Sequence, residues 1–102
     1  MRKHTKVYLS ALGYDLSDPN QFIQSEISGL RAVDIHHIDS REDRIENLMA
    51  VTREEHQKLG EIKSKMCFLL DIHREFLIMQ GVEFDNNWFK ERIEKYEVYN
   101  YD

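Results

Sequence analysis

Between Ala32 and Glu55 the spacing of apolar residues changes twice, and this constrains the fold more than any other stretch of the chain. Ala32 to Ile38 (AVDIHHI) alternates imperfectly and is rich in β-branched residues, as a strand does. Asp39 to Glu46 (DSREDRIE) is a charged loop, and Leu48 to Val51 is a short apolar run suited to a partner strand. The pair implies a hairpin with a loop of roughly eight residues. Thr52 then opens T-R-E-E, a capping box in which the Thr hydroxyl accepts from the third helical N–H while Glu55 reaches back to the Thr52 amide. Strand, loop, strand and capped helix are therefore expected in immediate succession.

On the N-terminal side, Lys6 to Leu12 (KVYLSAL) suits either a helix turn or a strand. Gly13, Asp15, Asp18, Pro19 and Asn20 then punctuate the chain into an irregular N-terminal arm, with a further turn at Ser25 to Gly29. On the C-terminal side the capped helix is expected to run to about Leu59, with Gly60 as its stop. Ile62, Met66, Leu69, Leu70, His73, Phe76 and Leu77 recur at spacings of three and four, which predicts a long amphipathic helix over 61–80, ending before Gly81. A last helix is expected from Asn86 or Asn87, with Trp88, Arg92, Ile93 and Tyr96 on one side. At 102 residues the chain reads as a single α+β domain, 1–102, with its core at 30–60 and a helical extension at 61–102.

With 41% hydrophobic and 32% charged residues, neither disorder nor a repeat architecture is expected. The basic start, Arg2, Lys3, His4 and Lys6, is followed by no apolar stretch long enough for a signal peptide or membrane span, so a soluble, cytoplasmic protein is expected. The single cysteine, Cys67, sits among Met66, Phe68 and Leu69, which suggests a buried thiol rather than a disulfide or a cysteine-rich zinc site. A net charge of -5 weighs against a broad basic surface for nucleic acid. The acids, however, concentrate toward the C-terminus (Glu83, Asp85, Glu91, Glu94, Glu97, Asp102), while Arg2, Lys3 and Lys6 leave one cationic end compatible with DNA.

Three histidines fall within the strand, loop, strand, helix unit: His36 and His37 at the end of the first strand and His56 one turn into the helix. Imidazole is both the commonest side-chain ligand for a transition metal and the side chain whose ordinary pKa lies near neutrality, so adjacent histidines offer a ligand and a proton shuttle. In a regular strand neighbours point to opposite faces, so both approach one site only if the strand ends or twists there. Asp34 shares a face with His36 and is a candidate further ligand or orienter of its imidazole.

The segment Ala32 to Gly60, AVDIHHIDSREDRIENLMAVTREEHQKLG, resembles the HNH endonuclease family with its ββα-metal core, especially small phage-type members. The motif is His36-His37, Asn47 in E-N-L-M and His56 in R-E-E-H. The resemblance implies a hairpin-plus-helix core, His36 and His56 as metal ligands, His37 as general base on the attacking water, and Asn47 as the residue that holds the loop. One divalent metal and one neutral imidazole would supply the charge stabilisation and base that phosphodiester hydrolysis needs. Many members of the family carry two C-x-x-C pairs around this unit. Here the matching positions read Ser25-Glu26-Ile27-Ser28 and Thr52-Arg53-Glu54-Glu55, which cannot bind zinc, so ordinary turn and cap stabilisation is expected in its place.

A lone histidine is more often a satisfied core or surface residue, which is the expectation for His4 and His73. Arg41, Arg44 and Arg53 could each grip a phosphate or simply pair with Glu42, Asp43 or Glu46; Arg41, nearest the histidine pair, is the candidate phosphate contact. The basic start is expected to be a disordered terminus. Trp88, Phe89, Tyr96, Tyr99 and Tyr101 are expected to serve helix packing and an aromatic tail rather than base stacking.

The leading expectation is a metal-dependent DNA endonuclease, a nickase as a monomer, with a homodimer able to cut both strands. Its partner is DNA, and its cofactor is one divalent ion among Mg²⁺, Mn²⁺, Zn²⁺, Ni²⁺ and Co²⁺. The alternative is a catalytically silent DNA-binding or phage-assembly accessory module. A third reading makes the 61–80 helix an interaction surface within a larger packaging or restriction complex.

Overall fold

The computed structural model describes residues 1–59 and 62–100. Helix α1 (Lys3–Ala11) is followed by an irregular segment, strand β1 (Asp34–His37), strand β2 (Leu48–Val51), helix α2 (Arg53–Leu59), helix α3 (Met66–Met79) and helix α4 (Asn86–Tyr96). Single 3-10 turns lie at Ile45–Asn47, Lys63–Lys65 and Glu97–Asn100. The architecture is mixed α+β, an antiparallel two-stranded hairpin with four α-helices. Among the described residues no helix is long and apolar enough to cross a membrane.

All four residues of β2 are buried, and the period of a strand explains why all four are apolar. Leu48 and Ala50 face one small core with Tyr8 and Leu9 of α1, whereas Met49 and Val51 face a larger one with Met66, Leu70, Leu77 and Phe89. The hairpin is thus a partition between α1 and the α3/α4 pair. Register carries the same division onto β1: His36 pairs with Met49 and His37 with Leu48, so the two histidines face different cores.

The capping box forms as its sequence predicts. The Glu55 N–H donates to Thr52 Oγ1 at 3.1 Å and the Thr52 N–H donates to Glu55 Oε1 at 2.8 Å. At the start of α4, Asp85 Oδ1 accepts from the Asn87 N–H at 3.0 Å. The turn at Ser25 closes when the Gly29 N–H donates to the Ser25 carbonyl at 2.9 Å, with Gly29 at φ +77, a conformation side chains rarely adopt. Trp88, Phe89, Tyr96 and Cys67 are buried, so these aromatics pack the helices. Tyr101 and the Gly60 stop lie outside the described residues.

Three expectations need correction. The basic start is not a loose terminus: it forms the first turn of α1, because Tyr8 and Leu9 bury one helical face and carry the preceding turn with them. The hairpin connection spans 38–47, longer than expected, because Ile45–Asn47 coils into a 3-10 turn, while the Ile38 N–H still donates to the Asn47 carbonyl at 2.9 Å. The long helix begins at Met66 rather than near 61, since Ile62, which opens the apolar series, is exposed and finds no core to join.

A buried polar chain ties these layers together. Tyr8 Oη donates to Glu26 Oε2 at 2.6 Å, and His73 on α3 places Nδ1 2.6 Å from Glu26 Oε1 and Nε2 2.6 Å from the Ile45 carbonyl oxygen. A carbonyl only accepts, so His73 Nε2 carries a proton. A second proton lies between Nδ1 and Oε1, and the pair is neutral as a whole whichever atom holds it. Burial and the Glu26 carboxylate push the Tyr8 hydroxyl far above the ordinary tyrosine range, so it stays a donor. His73 is therefore a satisfied core histidine, as its place in the apolar stripe suggests.

Candidate functional site

The start of β1 meets the start of α2, because the hairpin is antiparallel: Val51, which ends β2 just before the capping box, pairs with Asp34. His36 comes from the strand and His56 from the first turn of α2; their rings stand edge to face with centroids 4.8 Å apart. His36 is 6% exposed, and among the described residues its buried Nε2 has no hydrogen-bond partner. Burial first, then the neighbouring His56 and His37, push its pKa down to about 4, so the ring is neutral with a lone pair to offer at neutral pH.

Asp34 belongs to His56 rather than to His36, which corrects the expectation that it orients the His36 ring. Its Oδ2 lies 3.3 Å from His56 Nδ1, and Arg53 Nε donates to the same oxygen at 2.9 Å. Burial acts to raise the Asp34 carboxyl, but the hydrogen bonds from Arg53 and His56 outweigh it and hold it below the usual range. A carboxylate only accepts, so His56 Nδ1 carries a proton, and in the neutral ring Nε2 then holds the lone pair.

His37 points to the other side of the strand. Its Nε2 lies 2.9 Å from Asp43 Oδ1, and this hydrogen bond is the main reason the Asp43 carboxyl stays low. By the same reasoning Nε2 bears the proton and Nδ1 the lone pair, so Asp43 selects the tautomer. The His4 ring of α1 stands against His37 with centroids 4.8 Å apart and planes tilted by 55°. Burial and His37 lower the His4 pKa. Because β1 ends at His37, side chains from both faces reach one groove of about 330 Å³, lined by Arg2, His4, Ile35, His36, His37, Asp39, Ser40, Arg41 and His56.

Asn47 does not line that groove; it is fully buried beneath the loop. Its Oδ1 accepts from the Asp39 N–H at 2.9 Å, and its Nδ2 donates to the carbonyls of Ser40 at 2.8 Å and Glu42 at 3.0 Å. One amide thereby fixes the start and middle of the segment that carries Asp43. Asn47→Asp keeps the acceptor but has no N–H for the two carbonyls, so it is expected to cost about 2 kcal/mol of stability and to loosen Asp43 from His37. Urea melts and the His37 imidazole NMR signals check this; unchanged values for both would remove Asn47 from the loop's support.

The burial of His36 also predicts a pH dependence. In the unfolded chain it binds a proton near 6.5, whereas in the fold it resists protonation to about 4. Between those values the unfolded state holds more protons, so stability falls as pH drops through the window, and above it this group contributes no slope. His36→Gln should flatten that part of the curve in urea melts of metal-free protein at about pH 7 and about pH 5. An unchanged slope would locate the acid sensitivity elsewhere.

Arg44 pairs with Glu46 at 2.9 Å and Arg53 with Asp34, so both are engaged within the fold. Arg41 is exposed at the groove, and no ion pair or hydrogen bond holds its side chain among the described residues. At the back of the hairpin, Ser25 Oγ donates to Glu55 Oε1 at 2.6 Å and accepts the Ile27 and Ser28 N–H groups at 3.1 Å and 3.2 Å. The S-E-I-S turn and the T-R-E-E cap are thus joined through Ser25 and Glu55.

His4 and Asp43 were not singled out by sequence as site residues. The signal for His4 was its place one helical turn before the buried Tyr8, on the face that α1 turns to the hairpin. For Asp43 there was only its place in the loop after the histidine pair. Comparison with protein-family models, with curated proteins and with solved structures finds no match to the chain.

Proposed function

We propose that the chain is an HNH-type, metal-dependent DNA endonuclease domain that hydrolyses phosphodiester bonds. The observation that carries this reading is the buried, neutral His36 with an unpartnered Nε2, set against His56 at the start of a capped helix. A buried imidazole nitrogen without a partner is costly, and a cation held jointly with His56 is what would satisfy it. Two imidazole nitrogens suit Zn²⁺, Ni²⁺, Co²⁺ or Mn²⁺ better than Mg²⁺. Convergence of S-E-I-S and T-R-E-E supports the family reading as well, since these are the positions where the family's cysteine pairs would meet.

His36 and His56 would hold the ion, which when bound supplies charge neutralisation for the phosphate and leaving oxygen. His37 Nδ1, the basic nitrogen left by the Asp43 hydrogen bond, takes the proton of the attacking water. Asp34 keeps His56 in its ligating tautomer, Asn47 keeps the Asp43 loop in place, and Arg41 meets a phosphate oxygen at the groove's mouth.

Nicking of supercoiled plasmid across Mg²⁺, Mn²⁺, Co²⁺, Ni²⁺ and Zn²⁺ tests the reading, with His36→Ala and His56→Ala expected to lose metal binding and cleavage together. The net charge of -5 favours a second reading, a silent DNA-binding or assembly module. Wild-type protein that binds no metal through His36 and nicks in no ion would establish it in place of the nuclease.

A further inference from the structure

We propose that His4, His37 and Asp43 form a second divalent-cation site, of the zinc type, whose filling disables His37 as a base. The binding rests on these side chains alone, and the inhibitory consequence rests on the role of His37 proposed above. One ligand atom from each of the three lies within 4.8 Å of the others, and all three residues are half-buried. They come from separate elements, the first turn of α1, the end of β1 and the hairpin loop, so the fold and not local sequence gathers them. Among the described residues no other trio of histidine, cysteine or carboxylate side chains is so placed.

The donor set is two imidazoles and one carboxylate, which leaves a fourth position for water in a tetrahedral site. Zinc at about 2.1 Å from each donor needs them about 3.4 Å apart, within reach of small side-chain rotations. His37 Nε2 and Asp43 Oδ1 are already 2.9 Å apart. The site shares no side chain with the His36 and His56 pair, although both line the same groove.

The consequence for His37 follows from the electrons of the ring. A neutral imidazole has one lone-pair nitrogen and one N–H. An ion bound at either nitrogen takes the lone pair and leaves the proton on the other, so the ring can no longer accept one from water. Scarce zinc would leave the base free, and excess zinc would silence it.

Isothermal titration of Zn²⁺ into the full chain, with circular dichroism as a check of folding, tests the site on wild type, His4→Ala, Asp43→Asn and His36→Ala. Wild type should bind two ions; His4→Ala and Asp43→Asn should weaken one of them by more than about 100-fold, beyond the usual effect of an outer-shell change. His36→Ala should weaken the other. In Mg²⁺-supported nicking, the zinc concentration that halves the rate should rise by a similar factor in His4→Ala. Folded His4→Ala and Asp43→Asn proteins that titrate like wild type would overturn the site, as would a single ion lost only in His36→Ala. Unshifted zinc inhibition in His4→Ala would overturn the inhibitory role. A pair of ions with the expected mutational pattern but no nicking in any metal would keep the site and remove the nuclease reading instead.

Discussion

His37→Ala is expected to lower plasmid nicking by about two to four orders of magnitude, the usual loss when a positioned general base is removed. Under the proposed assignment, binding of an ion by His36 and His56 should survive, because the ring nitrogen of His37 is hydrogen-bonded to Asp43 and takes no part in the Asp34–His56 hydrogen bond. Asp43→Asn should cost less than His37→Ala, since the imidazole stays and only its tautomer preference and aim are weakened. Titration of each variant with Mn²⁺ beside the nicking assay separates binding from chemistry. If His37→Ala lost the metal while His36→Ala kept both metal and cleavage, the two histidines would exchange roles. Two equivalent strand residues would show equal effects, which any clear difference excludes.

His73→Ala should destabilise the chain by about 3–5 kcal/mol, the range for removing one partner of a buried pair. The substitution strands Glu26 beneath the hairpin, leaves the Ile45 carbonyl without its donor and opens a cavity beside Phe89. Against a total of roughly 5–15 kcal/mol for a domain of this kind, that is enough to populate the unfolded state. Glu26→Gln should cost less, because the amide still accepts from Tyr8 and meets His73 without a buried charge. Urea melts at neutral pH give both numbers. A His73→Ala melt within about 1 kcal/mol of wild type would mean that the network is not what couples α1, the Ser25 turn and α3.

Much of the fold was legible because its signals are local. The apolar run Leu48 to Val51 is strand β2 to the residue, T-R-E-E is the capping box with both of its hydrogen bonds, and α4 opens at Asn86, one of the two starts expected. His36, His37 and His56 were named from their spacing and from a family resemblance, and the fold places them around one groove. Asn47 was expected to hold the loop, and its amide bonds three backbone groups there.

What depended on distance in sequence was not legible. His4 looked like a surface residue in a loose terminus; only the packing of Tyr8 and Leu9 against β2 turns α1 so that His4 meets His37. Asp34 was assigned to the strand face of His36 and so to the wrong imidazole; its hydrogen bond to His56 follows from where the cap sets α2. Ser25 and Glu55 were read only as a turn residue and a cap residue at the positions of the family's cysteine pairs; the hairpin brings them to 2.6 Å. Periodicity and caps are properties of a few adjacent residues, so the sequence determined the elements and the chemistry available to them. Which imidazole meets which carboxylate is set by core packing between elements far apart in the chain, and that only the tertiary structure decided.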